Sequence, residues 1–147
     1  MSENTNVISL LNKYLSDLQV LTVKTKKYHW NMEGKRFYPF HKLLQEQYEA
    51  IDEAIDEVAE RIPMVHGKAF GTLKEYLDNT SLKESPGVNP SEEEMVKDLL
   101  SDHEAIINLL KEHIKSCQDA GDEGSADLLI KQIQFHEKAA WMLRASS

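Results

Sequence analysis

Apolar residues recur at steps of three and four in four long segments, the spacing that gathers them on one face of an α-helix. In the first, Ile8, Leu11, Leu15, Leu18, Thr22, Thr25 and His29 form a stripe that runs up to Asn31. The second runs from Pro39 to Ile62 and carries Phe40, Leu44, Tyr48, Ile51, Ile55, Val58 and Ile62. The third starts at Ser91, with Glu94 three residues on, a spacing that lets the two side chains cap the free N–H groups of a helix start. Its stripe is Val96, Leu99, His103, Ile106, Leu110, Ile114 and Cys117. The fourth begins near Asp122, after Gly121, with Leu129, Ile133, His136, Ala140 and Leu143 along its face.

The interruptions define the topology. Gly34 and Pro39 separate the first two segments, and Gly121 with Gly124 the last two. Residues 63–90 hold Pro63, Gly67, Gly71, Pro86, Gly87 and Pro90, which predicts a long crossover. Within it, Thr72–Asn79 can make one short helix. Residues 1–6 are expected to be a flexible N-terminal arm. Two helical hairpins joined by a long crossover describe one all-α domain over 1–147, a ferritin-like four-helix bundle with a short helix between helices two and three.

Composition narrows the function. The chain has 147 residues, enough for one sizeable core, and is 41% hydrophobic and 29% charged. No uncharged apolar run is long enough to span a bilayer, and the start lacks the pattern of a secretory signal. The lone Cys117 cannot pair internally, so the expected compartment is the cytoplasm. The net charge is −8 and unevenly spread. Residues 1–38 carry six Lys/Arg against three Asp/Glu, and the rest carries eleven against twenty-two. Such a body attracts cations and repels phosphate backbones.

The second segment holds the candidate chemistry. His41, Gln45, Asp52, Asp56 and Glu60 share a polar side of that helix. Asp56 and Glu60 are four apart, so their carboxylates point the same way and suit a hard cation such as Fe(II), although acidic pairs on wet helix faces are common. His41 and Asp56 are fifteen residues apart, roughly 22 Å along a straight helix. They cannot hold one ion within one chain. If both are ligands, a second subunit supplies the partner, and a two-fold axis produces two equivalent sites. His29 can lie beside His41, because a short turn reverses the chain between them. No histidine has Glu three residues before it, so the Glu-x-x-His ligand pair of intrachain di-iron bundles is missing.

Tyr28-His29-Trp30-Asn31-Met32-Glu33-Gly34, followed by Phe37 and His41, resembles the HWN-x-x-G…F…H signature of the Dps proteins. Asp56-Glu57-Val58-Ala59-Glu60-Arg61 resembles the D-x-x-A-E-R segment of that family, and Asp127 and Trp141-Met142-Leu143 also fit. The similarity runs from about residue 7 to 144. It implies a hollow homo-oligomeric shell of twelve subunits, with ferroxidase sites at two-fold interfaces. His29 and His41 of one subunit would bind iron with Asp56 and Glu60 of its neighbour. The implied enzyme activity is oxidation of Fe(II) to Fe(III), usually with hydrogen peroxide, and storage of the ferric mineral against oxidative damage. A DNA-compacting structural protein with little ferroxidase activity is the alternative.

Several residues are open between two roles. Trp30 either intercepts radical equivalents or packs at the subunit interface. Gln45 stands where some relatives carry Asp; it orients a water or binds weakly, which puts a second iron position in question. Asp52, one turn before Asp56, either contributes to the site or is an outer-shell or surface acid. Asp122, Glu123 and Asp127 line an acidic three-fold pore by the family pattern, or are acids favoured at a helix start. His103 and His136 are expected as hydrogen-bonded core residues, and His66 and His113 as surface groups. Residues 1–8 hold no Lys or Arg, and the cluster Lys24, Lys26 and Lys27 sits within a helix. DNA binding is therefore expected to be weak.

Overall fold

The computed structural model describes residues 2–85 and 89–147, which form α1 (Ser2–Asn31), α2 (Phe37–Met64), α3 (Leu73–Asn79), α4 (Glu92–Asp119) and α5 (Glu123–Ala145). The four long helices are the four periodic segments, and α3 is the short helix of the crossover. Among the described residues there is no strand. Pro86 and Gly87, two of the expected crossover breakers, lie outside the described residues. Helix α1 starts at Ser2, within the stretch expected as an arm, and Asn4 Nδ2 donates to the Val65 carbonyl at 3.1 Å.

Helix ends follow local chemistry. Ser91 and Glu94 form the expected capping box of α4, and Thr72 with Glu75 forms a second one at α3. Helix α2 exceeds its expected bounds at both ends and includes Pro63. The proline is tolerated because it lies in the last turn, where it removes one hydrogen bond and breaks nothing downstream. The helix closes with Gly67 N–H donating to Ile62 O at 2.9 Å, while His66 takes the left-handed conformation at φ 72°. That position normally belongs to glycine.

Direction follows from side-chain pairs. Tyr28, late in α1, donates to Asp98, early in α4, at 2.6 Å. Arg61, late in α2, meets Asp122, just ahead of α5, at 3.0 Å. So α1 is antiparallel to α4, α2 is antiparallel to α5, and the crossover must travel the length of the bundle. Polar side chains of α1 guide it. Asn12 donates to Lys68 O (3.0 Å) and accepts from Phe70 N (2.9 Å). Asp17 accepts from Thr80 Oγ1 and Ser81 N, both at 2.7 Å. Lys27 donates to Ser85 Oγ at 3.1 Å. Asn12 and Asp17 are buried, so these bonds satisfy groups that would otherwise oppose folding.

The core lies where the four stripes meet. Leu15, Leu18, Leu44, Ile51, Val58, Leu99, Ile106 and Leu129 are fully buried in it. Burying each such side chain contributes about 1.5–3 kcal/mol. His103 and His136 are buried and hydrogen-bonded, as expected, and their partners include one another; His66 is exposed. His113 is not the surface group expected: it is half-buried, and its Nε2 is buried without a hydrogen-bond partner.

Candidate metal centre

The turn between α1 and α2 brings His29 and His41 together. Gly34 makes the reversal with φ 145°, a conformation that residues with a Cβ rarely adopt, and its bare Cα leaves room for the Glu92 carboxylate. Arg36 then ties the turn to the rest of the bundle. Its Nε donates to Glu92 Oε1 at 2.9 Å and its Nη1 to the Ser146 carbonyl at 2.5 Å.

The two imidazoles hold each other through the backbone. His29 Nδ1 is 2.7 Å from the His41 carbonyl, and His41 Nδ1 is 2.7 Å from the His29 carbonyl. A carbonyl can only accept, so each Nδ1 carries a proton, and in the neutral ring the lone pair is on Nε2. The rings stack with centroids 3.7 Å apart and planes within 10°. Phe37 stacks on His41 at 4.9 Å, and Tyr48 meets His29 edge-on at 5.2 Å. Metal-binding histidines commonly donate their second nitrogen to such an acceptor, which orients the ring and raises its basicity.

The acids lie farther down α2. Asp56 and Glu60 are both exposed, fifteen and nineteen residues beyond His41. Among the described residues, no three His, Cys, Asp or Glu side chains of one chain gather into a group that could hold a metal ion. The structure brings the two histidines together and leaves the acidic pair apart from them. The remaining candidates divide. Asp52 accepts from Thr22 Oγ1 (2.6 Å) and pairs with Lys26 (3.0 Å), which fastens α1 to α2. Gln45 donates to Glu49 Oε1 at 2.9 Å. Trp30 is 67% exposed, an unusual position for a large aromatic.

Asp122 has structural partners. It caps α5 by accepting from Ser125 N at 2.9 Å and Ser125 Oγ at 2.6 Å, and it pairs with Arg61 at 3.0 Å. Burial alone would raise its carboxyl; the Ser125 and Arg61 donors outweigh burial and hold it below the ordinary range. Glu123 and Asp127 are exposed. The three lysines that looked like a basic cluster are also engaged. Lys24 is buried between Asp98 (2.9 Å) and Asp102 (2.6 Å), Lys26 pairs with Asp52, and Lys27 bonds Ser85.

Tyr48 is the neighbour of the site that sequence reasoning read only as a core position. It lies seven residues after His41, two helical turns along one face, and that spacing was the available signal. Cys117 takes no part: burial pushes its thiol up to about 11, so it stays protonated.

Bundle, crossover and paired histidines at the first turn together define a ferritin-like protein, and residues 8–146 match the family model described as a ferritin-like domain. The DNA protection during starvation protein 2 of Bacillus anthracis is 38% identical over 97% of this chain and 97% of its own length. The crystal structure of Dps from Thermosynechococcus elongatus superposes with a TM-score of 0.95 at 30% identity, covering 98% of this chain and 91% of that one. Dps from Vibrio cholerae, described as a member of a broad superfamily of ferritin-like diiron-carboxylate proteins, superposes with a TM-score of 0.92 at 28% identity, over 98% of this chain and 90% of its own. The chain belongs to the Dps family of mini-ferritins.

Proposed function

We propose that this chain is a ferroxidase subunit. In this reading it assembles into a hollow twelve-subunit shell, oxidises Fe(II) to Fe(III), prefers hydrogen peroxide as oxidant and stores the ferric product. The observation that carries it is the reciprocal His29–His41 clamp, which prepares two Nε2 lone pairs at one end of α2. The family's diiron-carboxylate kinship points to iron as the substrate.

In this scheme His29 and His41 of one subunit work with Asp56 and Glu60 of another. Imidazoles hold Fe(II) without adding charge, and carboxylates favour Fe(III) and so ease electron loss. Two Fe(II) ions each give one electron to peroxide; its O–O bond breaks and two hydroxides form. Asp122 serves the fold first, so an acidic access pore would rest on Glu123 and Asp127. No described helix is long and apolar enough to cross a membrane. DNA compaction, the alternative, draws less support, because Lys24, Lys26 and Lys27 are already committed to intramolecular partners.

The test is anaerobic Fe(II) loading followed by peroxide, comparing wild type with the His41→Ala/Glu60→Ala double variant by ferric absorbance and product size. Fast oxidation into a soluble, shell-sized product, lost in the variant, supports the site. Equal rates in both proteins would remove it.

A further inference from the structure

Two histidines that the proposed iron site does not use meet in the middle of the bundle. His103 of α4 and His136 of α5 are both fully buried, with their Nδ1 atoms 2.9 Å apart. His136 Nε2 lies 2.7 Å from the hydroxyl of Tyr14 on α1, itself 1% exposed. Phe135 closes the packing, edge-on to His103 and tilted against His136. A phenol and two imidazoles thus form one hydrogen-bonded line across three helices.

Counting protons sets its direction. A neutral imidazole has one N–H. If Tyr14 donates to His136 Nε2, then His136 Nδ1–H donates to His103 Nδ1, and the one group left over is His103 Nε2–H. That atom is buried without a partner among the described residues. The opposite direction would leave both the phenol hydrogen and the His103 Nε2 lone pair unanswered. Each buried unpaired group opposes folding, and this direction leaves fewer of them, so the line runs from Tyr14 to His103. Even so it carries an orphan that apolar side chains of similar volume would not, so packing alone does not account for it.

We propose that Tyr14, His136 and His103 form an internal donor that quenches strong one-electron oxidants of the hydroxyl-radical class. The role rests on the reading that Fe(II) and peroxide meet on this protein. In the step, Tyr14 gives one electron to the radical, which becomes hydroxide. The phenol O–H bond breaks and its proton moves to His136 Nε2, while the His136 Nδ1 proton moves to His103 Nδ1. The products are a neutral phenoxyl radical, a neutral His136 in its other tautomer and an imidazolium at His103.

The surroundings suit a reversible donor. Burial, and after it the charges of Asp17 and Glu57, hold the Tyr14 phenol well above its ordinary range, so its proton leaves only together with the electron. Burial also pushes His103 down to about 4, so the proton returns once an electron is restored. Glu57, held by Lys131 at 3.1 Å and Gln132 at 3.1 Å, follows Asp56 directly in the chain. The line therefore lies beside the acidic end of α2.

The test uses electron paramagnetic resonance on freeze-quenched assembled protein, oxidised either by Fe(II) with excess peroxide or, metal-free, by azide radicals. The expected result is a tyrosyl signal in both arms, lost in Tyr14→Phe and in His136→Gln, and retained in Tyr48→Phe. The glutamine can accept the Tyr14 hydrogen bond but cannot take the proton. A signal in the azide arm alone would reject the iron reading and keep the donor; an undiminished signal in Tyr14→Phe or His136→Gln would overturn the donor. Should those variants not fold, deuterium exchange on the wild-type radical decides. A slowly exchanging hydrogen-bonded deuteron supports Tyr14, and immediate exchange places the radical on an exposed tyrosine and overturns it.

Discussion

At the scale of single residues, polar groups inside the bundle set its response to acid. His103 is neutral in the folded protein because burial pushes it down to about 4, whereas the unfolded chain titrates it near its ordinary value of about 6.5. The depressed folded value means that the unfolded state takes up the proton first as pH falls. The stability linked to neutral His103 is complete above about pH 6.5 and is lost down to about pH 4. His136, lowered by burial and then by His103, acts in the same sense. Asp102 acts in the opposite sense: burial raises it to about 6 despite Lys24, so acid favours its folded form. Urea melts at stepped pH should show wild-type stability falling through this window more steeply than that of His103→Gln. The difference in slope should approach 1.4 kcal/mol per pH unit at most; equal slopes would mean that His103 is charged in the fold. The burial of the two histidines was legible from their places on apolar stripes; their bond to one another was not. Nor was their link to Tyr14, because periodicity gives the face of a helix but not which distant side chain completes a hydrogen bond.

At the scale of elements, helix starts were more legible than helix ends. Ser91 and Glu94 announce α4 by a spacing with one local meaning, and the structure has the capping box. The end of α2 was less legible, because Pro63 reads as a breaker although the last turn tolerates it. The chain closes that helix with His66 at φ 72°, where a residue with a Cβ is strained. His66→Gly should raise stability by about 1 kcal/mol and the melting temperature by about 2–4 °C. Thermal melts at one fixed subunit concentration check this, and a lowered melting temperature would show that the imidazole has a compensating contact. The role of Asp122 was obscured for a related reason. An acid at a helix start suits a pore and a cap equally, and only the position of Arg61 from another helix separates the two.

At the scale of the whole molecule, the four stripes and the long crossover made the bundle legible, because each helix must bury one face. The His41–Asp56 separation was legible too, since helical rise depends only on residue count. What side-chain spacing could not give was the backbone clamp between His29 and His41, which depends on the Gly34 turn. The separation yields a prediction about assemblies. Subunits carrying only His41→Ala and subunits carrying only Glu60→Ala should each be inactive. Unfolded together and reassembled as an equal mixture, they should regain about a quarter of wild-type sites, because each mixed two-fold pair has one intact site and one doubly defective one. Initial Fe(II) oxidation rates of the mixture measure this, and no recovery in properly assembled shells would mean that the four residues do not act across subunits. The ties at the chain ends have an engineering consequence. Asn4 is fastened to Val65 at one pole of the bundle, and Ser146 is held by Arg36 at the other. The two termini are thus separated by nearly the length of α1, roughly 40 Å. A circular permutant would need a linker that spans the bundle, and cargoes fused to the two termini would emerge at opposite poles.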